Sequence, residues 1–582
     1  MMAISSTFPL IKKTNYAIRN RTLWRIRNTQ YAIRNRALMA NTQYAIRNTQ
    51  YAIRNTQYAI RNMYEDTFFN KTNLKRSLQR SFVVSNWRVG LMLALALLGV
   101  ALVGGGLIVF VHPALAVALP LALAVGLLML RTPQWGLYGT IAVAVLLPFA
   151  ALPIKIGFKP TFLDVTLAAT FFVWFMTLLA GRATRLRFSP VAPGILAFIL
   201  IAFTAFVAGL QHASLDKQTL RRFAELILGT ALFFVVVDHV RTRRQLEGLA
   251  TMMMWCGFLS AAIGIVLYLL PHDISNGLLN RLGIFDYPRG WVLRFILDDP
   301  TNNQRAISTS VDPNVFGGLM ILMGAFAVPQ VVAARPLFPR WLSAMMVGTM
   351  VLALALTFSR ASMLGFVIAL SPLILLRYRR LIPWAIGGAL ALLLLPQAQD
   401  YILHFIAGLR GQDLATQMRF GEYKDAIELI RRYPYLGVGF SASPDIDLYI
   451  GVSSVYLLIA EQMGLIGLSI YLLLNLTFFV VAWRGIQRLR PETSRIDPLL
   501  MGLTSAIFGA LFAGILDHHF FDTTFPHFAT IYWLLMGLAV AATYIAREEE
   551  EEKPAISGGS GTEEGPTEPS INPLPLIWDG AK

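Results

Sequence analysis

The sequence predicts an all-α fold, a polytopic membrane bundle of about 14 spans with a partly helical external cap. Three observations predict it. Of 582 residues, 55% are hydrophobic and only 14% charged, whereas a soluble domain carries about 25% charged residues. Mean hydropathy is +0.56. Apolar runs of roughly 20 residues recur along the chain, the length that crosses a bilayer core. The connections between runs alternate in basic content, as the positive-inside rule requires.

Read in order, the apolar runs place spans near 90–111, 114–130, 135–153, 161–180, 190–210, 224–240 and 248–270. The second half places them near 314–334, 341–357, 361–376, 381–396, 464–483, 497–515 and 527–546. With the N-terminus in the cytoplasm, the short inner connections hold 16 basic residues. They are Arg131; Arg182, Arg185 and Arg187; Arg241, Arg243 and Arg244; Arg335 and Arg340; Arg377, Arg379 and Arg380; and Arg484, Arg488, Arg490 and Arg495. The short outer ones hold six: Lys155, Lys159, Lys217, Arg221, Arg222 and Arg360. An even span count follows, with both termini cytoplasmic and a multi-pass protein of the cytoplasmic (inner) membrane. Two long connections, 271–313 and 397–463, then fall outside.

The net charge of +17 misleads until it is divided. Residues 1–80 hold 15 Lys+Arg against 2 Asp+Glu, a net of +13, and residues 547–582 hold 3 basic and 9 acidic residues, a net of −6. The basic excess is therefore a leader and membrane loops, and no nucleic-acid partner is expected. Residues 1–88 read as a basic low-complexity leader. Asn-Thr-Gln-Tyr-Ala-Ile-Arg stands at 28–34, 41–47, 48–54 and 55–61. Three copies of the seven-base unit AATACGC encode that heptapeptide, so the leader reads as a translated short DNA repeat. Either translation starts near Met63 or the leader is a disordered extension; an amphipathic basic surface helix is the other reading. The domain layout is then this leader, a transmembrane bundle over 89–546, and an acidic, disordered cytoplasmic tail over 547–582. The single cysteine, Cys256, lies in an apolar run and reads as a small buried residue. It excludes an intramolecular disulfide and any multi-cysteine metal site.

The second outer connection has an internal plan. Gln412–Arg432 spaces Leu414, Met418, Ala426, Ile427 and Ile430 among charges, an amphipathic helix that Pro434 should stop. Gly437-Val-Gly439 follows, a turn that lets backbone approach a partner closely. Then come Ser453-Ser454-Val-Tyr456 and Glu461-Gln-Met-Gly464-Leu-Ile-Gly467.

Three blocks in this order, LTFSRASMLG (356–365), Arg419 to RYPYLGVGF (ending at Phe440) and SSVYLLIAEQMGLIGL (453–468), resemble the O-antigen ligase and O-antigen polymerase family. The likeness covers about 340–485, and Arg305 with Asp312-Pro313-Asn314 resembles an earlier family segment more weakly. The resemblance implies a multi-span membrane glycosyltransferase, independent of metal and of any cofactor. Its partners would be an undecaprenyl-diphosphate-linked glycan, an acceptor glycan or lipid glycan, and membrane lipids. The glycan would pass to an acceptor hydroxyl at the outer membrane face, in cell-surface polysaccharide synthesis.

Such chemistry needs cations for a departing diphosphate, and arginine holds one bidentately. Arg360, Arg419, Arg221, Arg222 and Arg305 are the outer candidates; each could instead be a snorkelling interfacial anchor. An acceptor hydroxyl also benefits from a general base. Where family ligases carry a His-Asn pair, this chain has Ser453-Ser454, which suits sugar or phosphate binding but not proton abstraction. Glu461 matches a family position and reads as catalytic or as a packing residue. Glu422, Asp447 and the His518-His519 pair with Asp522 are further candidate bases. The His-His-x-x-Asp spacing also admits a metal reading; no metal is expected. A lipid-glycan flippase or other transporter is the alternative class, disfavoured by few mid-span ionisable residues and unlike outer loops.

Overall fold

A computed structural model describes residues 132–152, 158–180, 186–212, 215–383, 386–387, 414–440 and 452–551. The leader, the spans expected at 90–111 and 114–130, most of that at 381–396, Asp447 and the tail beyond Glu551 lie outside the described residues.

The described chain is helical but for one two-residue antiparallel ladder. In chain order α1 is Pro133–Leu146, α2 Phe162–Leu179, α3 Ala192–Gly209, α4 Lys217–His239, α5 Arg243–Leu269 and α6 His272–Arg281. Then follow α7 (Pro313–Val332), α8 (Arg340–Leu356), α9 (Arg360–Leu376), α10 (Leu414–Arg432), α11 (Val455–Arg488), α12 (Ile496–Leu516) and α13 (Pro526–Glu551). Strands β1 (Arg294–Phe295) and β2 (Gln304–Arg305) pair in the connection before α7.

The starts of these helices follow from local chemistry. Thr161 and Asp164 close a capping box on α2, and Thr242 and Gln245 do so on α5. Asp216 caps α4 and Asp312 caps α7, each accepting two backbone N–H groups. Pro133 and Pro313 sit in first turns, where a missing N–H does no harm.

Among the described residues seven helices are long and apolar enough to cross a membrane: α2, α3, α5, α7, α11, α12 and α13. Multiple apolar helices of this kind make the chain a multi-pass membrane protein. The expected count of about 14 is not reached among the described residues, and the reasons are visible. Helices α8 and α9 have 17 residues each and α1 has 14. Helix α4 has 23 residues, but its first turns carry Lys217, Arg221, Arg222 and Glu225. Helix α4 begins after its cap Asp216 and α11 nine residues before the expected span, so both run beyond the apolar stretches that mark them. Helix α13 runs through Glu551, into the stretch expected to be tail.

Helices α7 and α13 form the centre, with 89% and 94% of their apolar windows buried, against 28% for α2. Small residues bring neighbours close. Gly365 of α9 lies against Ala513 of α12, and Gly509 of α12 against Ala369 of α9. That antiparallel register puts the start of α9 and the end of α12 at the same end of the bundle.

The helix ends gather into two groups. At one end Arg187 pairs with Glu548 (2.5 Å), Arg241 with Asp238 (2.8 Å) and Arg377 with Asp497 (3.3 Å). The basic turns of the alternating pattern meet there. The other end carries the 271–313 connection, with its own small core of Leu267, Leu279, Val292, Leu293, Phe295 and Ile307. Helix α10 packs beside α11 at this second end, and it stops where Pro434 was expected to stop it.

Candidate active site

Four helices begin around one hollow at the second end. Thr161, Asp216, Asp312 and Pro526, which open α2, α4, α7 and α13, all line a cavity of about 730 Å³. Each helix start carries about half a positive charge, and the caps of α2, α4 and α7 take up part of its free N–H groups. Five cations line the same cavity: Lys159, Lys217, Arg221, Arg222 and Arg294.

Their partners divide them. Arg221 is held by Asp164 (2.8 Å) and by Glu225 (3.0 Å), whose other oxygen accepts from Thr161 (3.1 Å). Lys159 pairs with Asp286. Among the described residues Lys217, Arg222 and Arg294 make no ion pair, although all three face the hollow. Asp216 and Asp312 each spend one oxygen on two helix N–H groups. The result is a site with positive potential and spare donors, suited to a multiply charged anion.

One wall of the cavity is Thr523-Thr524-Phe525, part of the turn between α12 and α13. This turn carries the second group of functional side chains. Buried aromatic rings fix it: Phe521 packs on Phe198 and Phe440, and Phe520 on Phe528. Asp517 ends α12, and its carbonyl accepts from Val455 N–H at the start of α11 (3.2 Å). This contact lays the His518-His519 turn beside Ser453-Ser454. His518 Nε2 lies 3.2 Å from Asp522 and its Nδ1 3.5 Å from Asp517. His519 Nε2 lies 3.0 Å from the same Asp517 oxygen. Helix α10 adds Glu422, which accepts from Ser453 N–H (3.0 Å), and Tyr423, which donates to Ser453 C=O (3.1 Å).

The charges in this cluster act on each other. Burial alone would raise the Asp517 carboxyl, but His519, His518 and Arg419 outweigh it and hold it well below the usual range. Burial would lower the His518 imidazole, but Asp522, Asp517 and Glu422 raise it.

The sequence-predicted residues distribute as follows. Arg419 stands near Asp517, and Glu422, Ser453, Ser454, His518 and Asp522 meet in one cluster. Ser454 is buried, with its hydroxyl 3.4 Å from Gly514 C=O. Arg221 and Arg222 line the cavity. Arg305 lies on β2, donating to Thr357 C=O (2.8 Å) and Asn314 (2.8 Å), where it ties the end of α8 to the start of α7. Arg360 opens α9, beside Ser359 and Ser362, whose hydroxyls are 2.9 Å apart. Phe358 just before it has φ +51° and Val311 beside the cavity φ +60°. Such non-glycine conformations cost about 1–3 kcal/mol and cluster at functional sites.

Glu461 is buried within α11. Its backbone has a plain task. Gly464 (φ +68°) breaks α11, so the Glu461 and Gln462 carbonyls accept from Val438 N–H (2.8 Å) and Gly439 N–H (3.1 Å). The partner that the Gly437-Val-Gly439 turn approaches is thus this chain's own helix. Sequence reasoning missed Arg294, Lys217 as a ligand group, and Asp517. Only Asp517 left a signal: a carboxylate between an apolar span and two histidines.

Residues 345–472 match the O-antigen ligase family model. The matched segment runs from α8 into α11 and contains Arg360, Arg419, Glu422, Ser453, Ser454 and Glu461. No curated protein matches the chain.

Proposed function

We propose that this protein transfers or polymerises a glycan from an undecaprenyl-diphosphate-linked donor onto an acceptor hydroxyl, in cell-surface polysaccharide synthesis and without a metal in the chemical step. The observation that carries the reading is the cavity, where four helix starts and three cations without carboxylate partners adjoin the His518–Asp522 pair. A lipid diphosphate is the anion this arrangement suits. Lys217, Arg222 and Arg294 donate to its oxygens, and Arg360 and Arg419, at the same end, receive charge as it leaves. Arg221 and Arg305 are held by their own partners and shape the site from behind.

In the transfer step the acceptor oxygen forms a bond to the sugar's anomeric carbon. The bond from that carbon to the diphosphate oxygen breaks, and the diphosphate keeps the electron pair. His518 takes the hydroxyl proton, and Asp522 fixes the ring and steadies the imidazolium. The histidine absent at Ser453-Ser454 is thereby supplied from another turn, and Ser454 and Glu461 position the acceptor side. The positive-inside rule supports a cytoplasmic side for the end bearing the basic turns and, with it, a cavity at the outer membrane face.

Reconstituted protein given a lipid-diphosphate oligosaccharide tests this. A ladder of lengthening glycans makes it a polymerase; single transfer to an added acceptor makes it a ligase. His518→Ala and the Lys217→Ala/Arg222→Ala pair should each lose product at unchanged protein level. Normal product from both refutes the site. Movement of the donor across the bilayer without transfer would establish the flippase instead.

A further inference from the structure

We propose that Asp517, His518 and His519 also form a binding site for a divalent transition metal of the zinc class. Two observations on the turn point to a ligand. First, His519 is only 6% exposed and its Nδ1 has no hydrogen-bond partner, while its Nε2 and Nδ1 of His518 converge on one Asp517 oxygen at 3.0 and 3.5 Å. Buried polar atoms in native folds are nearly always satisfied, so a buried ring with an open nitrogen beside a shared carboxylate oxygen marks a place for something to bind. Second, the spacing suits a metal. One ligand atom from each of the three residues lies within 4.8 Å of the others. The Asp517 oxygen is 3.0 Å from His519 Nε2 and 3.5 Å from His518 Nδ1. Ligands bonded tetrahedrally to zinc at about 2.0–2.1 Å stand about 3.3 Å apart.

Asp522 completes the pattern. It sits on the far nitrogen of His518, where metal-bound imidazoles ordinarily carry a carboxylate that fixes the tautomer. Three protein ligands leave one position open.

Binding has a consequence. With Nδ1 on the metal and Nε2 on Asp522, His518 has no lone pair for a proton, so metal occupancy shuts off transfer. This consequence, though not the binding, rests on His518 being the base.

The test uses full-length protein purified without a histidine tag and loaded with Co²⁺ or Zn²⁺. Stoichiometric Co²⁺ with the visible bands of a four-coordinate ion is expected, displaced by Zn²⁺. His519→Gln and Asp517→Asn should lose the bands, Asp522→Asn should bind about 10–100-fold more weakly, and the surface control His272→Gln should bind normally. Bands that persist in His519→Gln, or none in wild type, overturn the site. X-ray absorption on Zn²⁺-loaded wild type guards against misfolded variants: two imidazoles in the coordination shell support the site, and water ligands alone refute it. Transfer is then assayed separately. Zn²⁺ should inhibit wild type and spare His519→Gln. Binding without inhibition leaves the metal site standing and removes His518 from the chemistry.

Discussion

The two ends of the bundle are both rich in arginine, and they use it differently. At the basic-turn end Arg187, Arg241 and Arg377 reach Glu548, Asp238 and Asp497, and Arg377 also donates to the Ile486 and Leu489 carbonyls. Those charges are consumed in holding helix ends together. At the cavity end Lys217, Arg222 and Arg294 have no carboxylate partner among the described residues, and the four acids that share their wall are committed to helix caps or to other cations. A cation kept unpaired beside a hollow contributes little to folding and keeps its full charge for a ligand. Positive charge alone, which is what a sequence displays, does not separate the two uses.

Six substitutions break or sharpen this comparison, from the largest effect to the smallest. Gly464→Val should abolish folded protein, read as loss of monodisperse elution. A Cβ there would lie 2.1 Å from Tyr435 O, and φ +68° with ψ −179° is a glycine conformation. Asp497→Ala should destabilise by about 3–5 kcal/mol, since it leaves Arg377 facing a buried gap. Thermal melting checks it, and affinity for the donor should stay unchanged in the protein that folds. At the opposite end His518→Ala should slow transfer by about 10²–10⁴-fold, with a smaller fall in melting temperature than Asp497→Ala.

Lys217→Ala and Arg222→Ala should each weaken donor binding by about tenfold, the value of one charged hydrogen bond. Neither should lower stability. A fall in melting temperature as large as that of Asp497→Ala would erase the contrast between the ends. Arg432→Ala removes an exposed pair with Glu428 and should shift stability by about 0.5 kcal/mol or less. It calibrates how little a solvated ion pair contributes.

Much of the helix layout is written in short stretches of sequence. Hydropathy sums over one segment, and the caps at Thr161, Asp216, Thr242 and Asp312 act within three residues of themselves. Pro434 ends α10 by a steric effect on its own neighbours. Those features, the alternating basic turns and the ordered family blocks depend on local chemistry, so the sequence by itself determined them. The tertiary structure decided what each charge is for. Arg221 is held by Asp164, 57 positions away, while its neighbour Arg222 is left to the cavity. Gly437 reads as a turn open to a close partner, and only packing shows that it and Gly464 let two family blocks touch, since a Cβ on Gly437 would meet Glu461 O at 2.2 Å. His518 lies beside Ser454 because the end of α12 accepts the first N–H of α11. Partners so far apart along the chain leave no periodic trace, because their meeting is set by how whole helices pack and not by any one segment's preference.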